Sequence, residues 1–371
     1  NKASRQTQRG EEDDVKAYVI PAEQHDPLTM QKMVNKLLLQ GITVDRATRG
    51  FEHEGRAFGS GSFVVSSAQP KRGVIRWLLG QTYYPDNSYT RDRDGNPIRP
   101  YDMSTDNISE FMGVDVVPVA SPIVSAMTRV TTMLDPSGTV SASANGYVLD
   151  GRLNDSHEAV NRLFAAGASV SRAWRGGEGF RQGDFIVSAG VDAAVAREIA
   201  EETGVDFVEF VGDAAGSTYP LSQQRIAMFQ RWWGGNMDEG WTRFLLEDFS
   251  FPYTSIMDEE ILRGDLHERW DVIILPNDSR GMMVDGRDDP LTPPDYRSGF
   301  GEAGVAALDA FVENGGVLVT FSSAGSLPLA DFDIPVENAV EGMWGNEFWS
   351  PGSTLHMTVD NTHPFTYGMP S

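Results

Sequence analysis

VNKLLLQGITVDRA (34–47) and VNRLFAAGASVSRA (160–173) are the two stretches whose reading decides the fold. Laid against each other they agree at Val34/Val160, Asn35/Asn161, Leu37/Leu163, Gly41/Gly167, Val44/Val170, Arg46/Arg172 and Ala47/Ala173. In both, the glycine falls where a left-handed residue ends a helix. Each stretch follows a short apolar run, VKAYVIP (15–21) in one case and GYVLD (146–150) in the other. Each contains helically spaced apolar residues, MQKMVNKLLLQG (30–41) and EAVNRLFAAG (158–167). Identities concentrated in one window at one offset indicate a duplicated β-α-β unit.

The copies continue alike. FVVSSAQPKRGVIRWLLGQ (63–81) and DFIVSAGVDAAVAREIAEETG (184–204) both read as a β-branched run, a turn of small residues and an amphipathic helix. A third version starts at RIAMFQ (225–230), reaches FPYTSI (251–256) and WDVIILP (270–276), and ends with GEAGVAALDAFVENGGVLVTF (301–321). Strands alternating with helices predict parallel sheets covered on both faces. The expected architecture is therefore α/β, with three flavodoxin-like units at 15–142, 143–218 and 219–371, the first two related by duplication. Residues 1–14 are expected to be a polar linker. YYPDNSYTRDRDGNPIRPYD (83–102) and VDGRDDPLTPPDYRSGFG (284–301) read as long loops, and 341–371 as short strands and turns.

Acidic residues outnumber basic ones 53 to 30, leaving a formal charge of −23 that repels phosphate backbones and so excludes nucleic acid as a partner class. The absence of cysteine removes disulfides, Cys-ligated zinc and thiol nucleophiles. The uncharged stretch 116–128 is too short to span a bilayer and carries Pro118 and Pro122. Residues 1–14 are polar throughout, so no signal peptide is expected there, and the chain is expected to be an excerpt of a longer one.

Candidate chemistry is sparse. DRDGNP (92–97) has calcium-loop residue types, but its glycine comes too early and no Glu closes it, so a turn is expected. Ser322 and Ser323 follow the VLVT strand, at the strand-to-helix elbow where α/β hydrolases hold a nucleophile. The bland reading there is a helix cap, since neither a G-x-S-x-G frame nor a base is evident. In WWGGNMDEGWTRFLLEDF (232–249), Asn236 or Asp238 caps a helix whose first turn holds Asp238 and Glu239. Trp241, Phe244, Leu245 and Phe249 form one stripe, expected in the core, whereas Trp232 and Trp233 precede the helix and are candidates to line a pocket.

RIAMFQRWWGGNMDEGWTRFLLEDFSFPYTSI, DLHERWDVIILP, GVAALDAFVENGGVLVTF and EFWSPGSTLHMTVDNTHPFTYGMP together resemble the C-terminal region of large bacterial zinc carboxypeptidase-like proteins. AYVIPAEQHDP and SFVVSSAQPKRGVIRWLLGQTYYPD resemble the region just after that family's peptidase domain. The resemblance covers about residues 15–371. It implies a carboxypeptidase A-like domain upstream of residue 1 and a class I glutamine amidotransferase-like domain at 219–371. The amidotransferase cysteine is missing, with Ser322 and Ser323 near its place. By this resemblance the chain is a secreted or periplasmic, non-catalytic accessory region that binds its own peptidase domain or a peptide substrate. Its expected binding residues are Trp232, Trp233, Asp238, Glu239 and Trp241. Two rival readings are a serine-dependent hydrolase using Ser322 or Ser323, and a carbohydrate-binding or trimer-forming module supported by the same tryptophans.

A carboxypeptidase A-like zinc site takes two ligands from one H-x-x-E run. Three places after His25, His53, His157, His267, His356 and His363 stand Leu28, Arg56, Val160, Trp270, Val359 and Thr366, never a glutamate. Zinc is therefore expected only in the upstream domain and no cofactor in this chain. The purified, folded chain should hold no stoichiometric zinc and release no C-terminal residue from peptides. One tightly held zinc per chain in metal analysis would overturn the motif argument.

Overall fold

The computed structural model describes the chain except for residues 82–83, 99–106, 234, 288, 344–346, 349, 351 and 371. It divides into two compact units, one holding 1–160, 168–220 and 342–371, the other 161–167 and 221–341.

The larger unit opens with α1 (Lys2–Glu12), so the expected linker is helical. Gly10 sits so close to the backbone of Ser67 that a Cβ there would collide with its carbonyl. There follow β1 (Ala17–Ile20), α2 (Pro27–Leu39), β2 (Asp45–Ala47), the hairpin β3 (Phe51–His53) and β4 (Arg56–Phe58), β5 (Phe63–Ser66), α3 (Arg72–Leu79), α4 (Ile108–Met112), β6 (Val117–Val119) and β7 (Met127–Arg129). Local chemistry fixes α2. Asp26 caps it by accepting from the Leu28 and Thr29 amides, Pro27 occupies the first turn, and Gly41 beyond its end takes φ +70°. Its Met30, Met33, Val34 and Leu37 are buried with Ile20, Phe63 and Val65 of the sheet.

The strand order is β6-β1-β5-β2-β7, and every neighbouring pair is antiparallel. This corrects the expectation of a parallel sheet. The strands β1 and β2 do run the same way, but β5 lies between them and returns in the opposite direction. The physical reason is the connection. Parallel neighbours need a crossover, usually a helix, whereas β2 reaches β5 through a hairpin alone. The result is a split β-α-β arrangement.

The second sheet of this unit uses β8 (Gly146–Leu149), α5 (Asn154–Ala165), β9 (Val170–Ala173), β10 (Phe185–Ser188), α6 (Ala193–Thr203), β11 (Val208–Glu209) and β12 (Thr218–Pro220). Its order, β11-β8-β10-β9-β12, matches the first sheet place for place, and it too is antiparallel throughout, against expectation. Again no helix separates β9 from the strand inserted beside it.

The smaller unit contains β13 (Ile226–Phe229), α7 (Met237–Asp248), β14 (Tyr253–Ile256), α8 (Asp258–Leu262), α9 (Leu266–Arg269), β15 (Val272–Leu275), α10 (Arg280–Val284), α11 (Gly301–Glu313), β16 (Val317–Thr320) and α12 (Ser326–Asp331). Here the sheet is parallel, in the order β14-β13-β15-β16. Helices join successive strands, as parallel pairing requires. Phe229, Ile256, Leu275, Leu308 and Phe311 form its core.

Among the described residues 341–371 contain no strand, contrary to expectation, and only a 3-10 turn at Pro364–Thr366. The described part of the 83–102 loop, 84–98, is built from turns. The Asp92 Oδ1 accepts from the amides of Asp94 and Asn96 at 2.9 and 2.8 Å. No helix among the described residues is long and apolar enough to cross a membrane.

Asp150, directly after β8, supplies a pH test. Burial pushes its carboxyl up, but hydrogen bonds from Arg152 and Arg181 outweigh this and hold it at about 2. An unfolded aspartate titrates near 3.9, so the stabilisation is complete above about pH 4 and is lost as pH falls toward about 2. Asp150→Asn should therefore lower urea stability near pH 6 and make little difference near pH 2. An equal loss at both pH values would contradict the assignment.

Candidate functional site

In a parallel sheet all strands end at the same edge, and loops diverge where the chain order reverses. In the smaller unit that place lies between β13 and β15. The loop after β13 carries Arg231 to Asn236, the loop after β15 carries Asn277 to Ser279, and the turn after β16 carries Phe321 to Ser323.

The centre is a buried ion pair. The Arg231 and Asp278 side chains are 8% and 5% exposed, and Arg231 Nε lies 3.1 and 3.0 Å from the two Asp278 oxygens. The other arms of the guanidinium donate to the Trp233 and Gly235 carbonyls. The guanidinium carbon also lies 4.5 Å from the Trp233 ring centre, and Arg287 approaches the same indole at 5.5 Å. The indole N–H of Trp233 is buried without a partner. Asn236 caps α7 through its Oδ1, and its Nδ2 donates to Asn277 O and Asp278 Oδ2. Asn277 is the hinge of the crevice: its Nδ2 donates to Asp238 Oδ2 at 2.9 Å, and its Oδ1 accepts from the Ser323 amide at 3.2 Å.

The sequence-predicted residues therefore divide. Asp238 and Ser323 are brought together through Asn277, with Trp233 on the neighbouring loop. Trp232 stands perpendicular to Tyr296, ring centres 5.6 Å apart. Ser322 is exposed and holds φ +51°, a strained value for a non-glycine residue at a strand-to-helix elbow. Among the described residues no histidine is hydrogen-bonded to either serine hydroxyl, and the Ser323 amide, a natural oxyanion donor, already has an acceptor.

The helix α7 corrects the expected core stripe. Trp241, Phe244 and Leu245 are 70%, 58% and 55% exposed, and Glu239 is buried instead, 3.4 Å from Arg243. The cap explains the rotation. Because Asn236 is tied to Asn277 and Asp278, the first turn of α7 cannot roll, and its position sends Glu239 inward and the aromatic face outward. Trp241 and Phe244 meet edge to face at 6.1 Å on that outer face.

Sequence reading missed Arg231, Asn277, Asp278 and Arg287. Its available signal was the position of Asn277 and Asp278 immediately after the apolar VIILP strand, at the ligand-bearing edge of a parallel sheet. At the end of β14, Asp258 is buried and its carboxyl is pushed up by that burial, with Ser298 donating to it at 2.7 Å. Among the described residues no three His, Asp or Glu side chains gather to hold a metal ion.

Comparison with protein-family models, curated proteins and solved structures finds no match to this chain.

Breaking a buried pair leaves the remaining charge unpaired, at a cost of about 3–5 kcal/mol. Arg231→Met should lower unfolding free energy by about that amount, and Arg231→Met/Asp278→Leu should recover most of it. Urea denaturation checks this; a loss below about 1 kcal/mol in the single variant would show that water reaches the pair.

Proposed function

We propose that the chain is a non-catalytic accessory region of a zinc carboxypeptidase-like protein, and that its third unit is the surface that engages the peptidase domain upstream of residue 1 or its peptide substrate. The observation that carries this reading is α7. A surface helix that turns Trp241, Phe244 and Leu245 to solvent while burying a glutamate leaves an apolar patch of the kind that marks an interaction site. The sequence resemblance supplies the identity of the partner, the zinc of that partner and the secreted or periplasmic setting.

The finer architecture belongs to the same reading. The third unit is flavodoxin-like and corresponds to the amidotransferase-like domain of that family. The two antiparallel sheets descend from one duplicated unit, a reading supported by their common strand order and the seven identities between 34–47 and 160–173.

A serine hydrolase is the second reading, favoured by the strained φ of Ser322. Against it, acyl transfer needs a base beside the hydroxyl and a free oxyanion donor. A fluorophosphonate probe separates the two readings. The folded chain should remain unlabelled; labelling that disappears in Ser322→Ala or Ser323→Ala would replace the accessory role with a catalytic one.

A further inference from the structure

Arg172 of β9 is a buried cation without an anion of its own. It is 6% exposed, and burial pushes its guanidinium down to about 10. The guanidinium lies on the Phe185 ring, 3.9 Å from its centre. One Nη2 hydrogen bond reaches the Tyr367 carbonyl at 3.1 Å, whereas Nη1 is buried with no partner. The nearest carboxylate is Asp184, and its oxygens are committed to Gly151 N, Arg181 N and the Arg181 guanidinium. A buried guanidinium with an unused donor is costly unless something supplies an acceptor.

Segment 366–369 lies in this place. The His25 Nε2–H donates to the Gly368 carbonyl at 2.6 Å, and the Tyr367 hydroxyl donates to Trp174 O at 3.3 Å. Backbone meets backbone here: a Cβ on Gly368 would collide with the Gly151 carbonyl, and one on Gly183 would press on Tyr367 and Gly368. Gly151 and Gly183 thus form a cradle that holds a turn of the chain, closed by the Met369 amide on Thr366 O, by the Tyr367 and Gly368 carbonyls.

The first sheet carries the same frame. There Arg46 lies over Phe63, its partner across the sheet, as Arg172 lies over Phe185. The Ala22 amide donates to Ser62 Oγ at 3.0 Å, just as the Gly151 amide donates to Asp184 Oδ1 at 3.0 Å. Gly61 stands where Gly183 stands, two residues before the phenylalanine. Yet Arg46 is exposed. The frame forms with its arginine open to solvent, so in the second sheet the covering segment is an occupant and not a structural requirement.

We propose that the cradle of His25, Gly151, Arg172 and Gly183 is a receptor for the end of a peptide bearing a free C-terminal carboxylate, and that segment 366–369 occupies it in cis. A carbonyl engages one arm of Arg172, whereas a carboxylate engages both and neutralises the buried charge. Asp184 also lines an adjoining cavity of about 580 Å³, which gives room for the rest of such a ligand. This site is distinct from the surface of the smaller unit and stands on its own geometry.

The test uses acetyl-Gly-Tyr-Gly and its C-terminal amide, titrated calorimetrically into the whole chain. Gly368→Ala cannot seat the segment, and Tyr367→Ala removes the segment's own tie to Trp174 O while leaving the cradle residues intact, so either variant opens the cradle. Each should bind the carboxylate peptide at least about tenfold more tightly than the parent chain and about tenfold more tightly than the amide. Adding Arg172→Gln should abolish the preference for the carboxylate. If Gly368→Ala fails to fold, Tyr367→Ala decides. Folded variants that bind no better than the parent chain, or that bind acid and amide alike, would overturn the proposal.

Discussion

A guanidinium can be buried only where its donors find acceptors, and Arg231 satisfies that demand by holding two loops in place. It ties the loop after β13 to itself through two carbonyls and to the loop after β15 through Asp278. Asn236 and Asn277 extend the tie to the start of α7 and the turn after β16. The crevice is thus preorganised by a network with one charge pair at its centre. The same network sets the rotation of α7 and with it the outward-facing aromatic patch. The exposed aromatic face and the crevice both depend on one buried arginine.

Arg172 gives the contrast. Both arginines are buried and lie against an aromatic ring, but one has a carboxylate and the other has a borrowed carbonyl. In a medium of low polarity that difference matters more than the shape of either pocket. A satisfied pair supports structure; an unsatisfied one favours whatever brings an acceptor.

Element positions were largely legible in the sequence. Asp26-Pro27 and Gly41 bracket α2 by cap chemistry, and GGVLVTF names its strand by β-branched residues after a glycine stop. Strand direction was not legible. FVVS and FIVS have the same apolar character whichever way they run, and only the absence of a helix before them separates antiparallel insertion from parallel continuation. The parallel direction of the third sheet was legible because helices do intervene there. The site was half legible for a related reason. Ser323, Asp238 and Trp233 stand at strand ends that the α/β pattern locates, whereas Arg231 and Asp278 act through a pairing across 47 residues that no local spacing announces. The α7 stripe misled because periodicity defines a face but not what the face meets; a cap bonded to a neighbouring loop decided that.

We propose that the exposed face of α7 meets a peptidase domain encoded upstream of residue 1. The most direct test is the affinity of the chain for the separately produced polypeptide encoded immediately upstream of residue 1, measured with the parent chain and with Trp241→Ser/Phe244→Ser. Aromatic anchors at the centre of an interface carry much of its energy, so the double variant should lose about a hundredfold in affinity while remaining folded. Undiminished affinity in the variant, or no binding by the parent chain, would contradict the account.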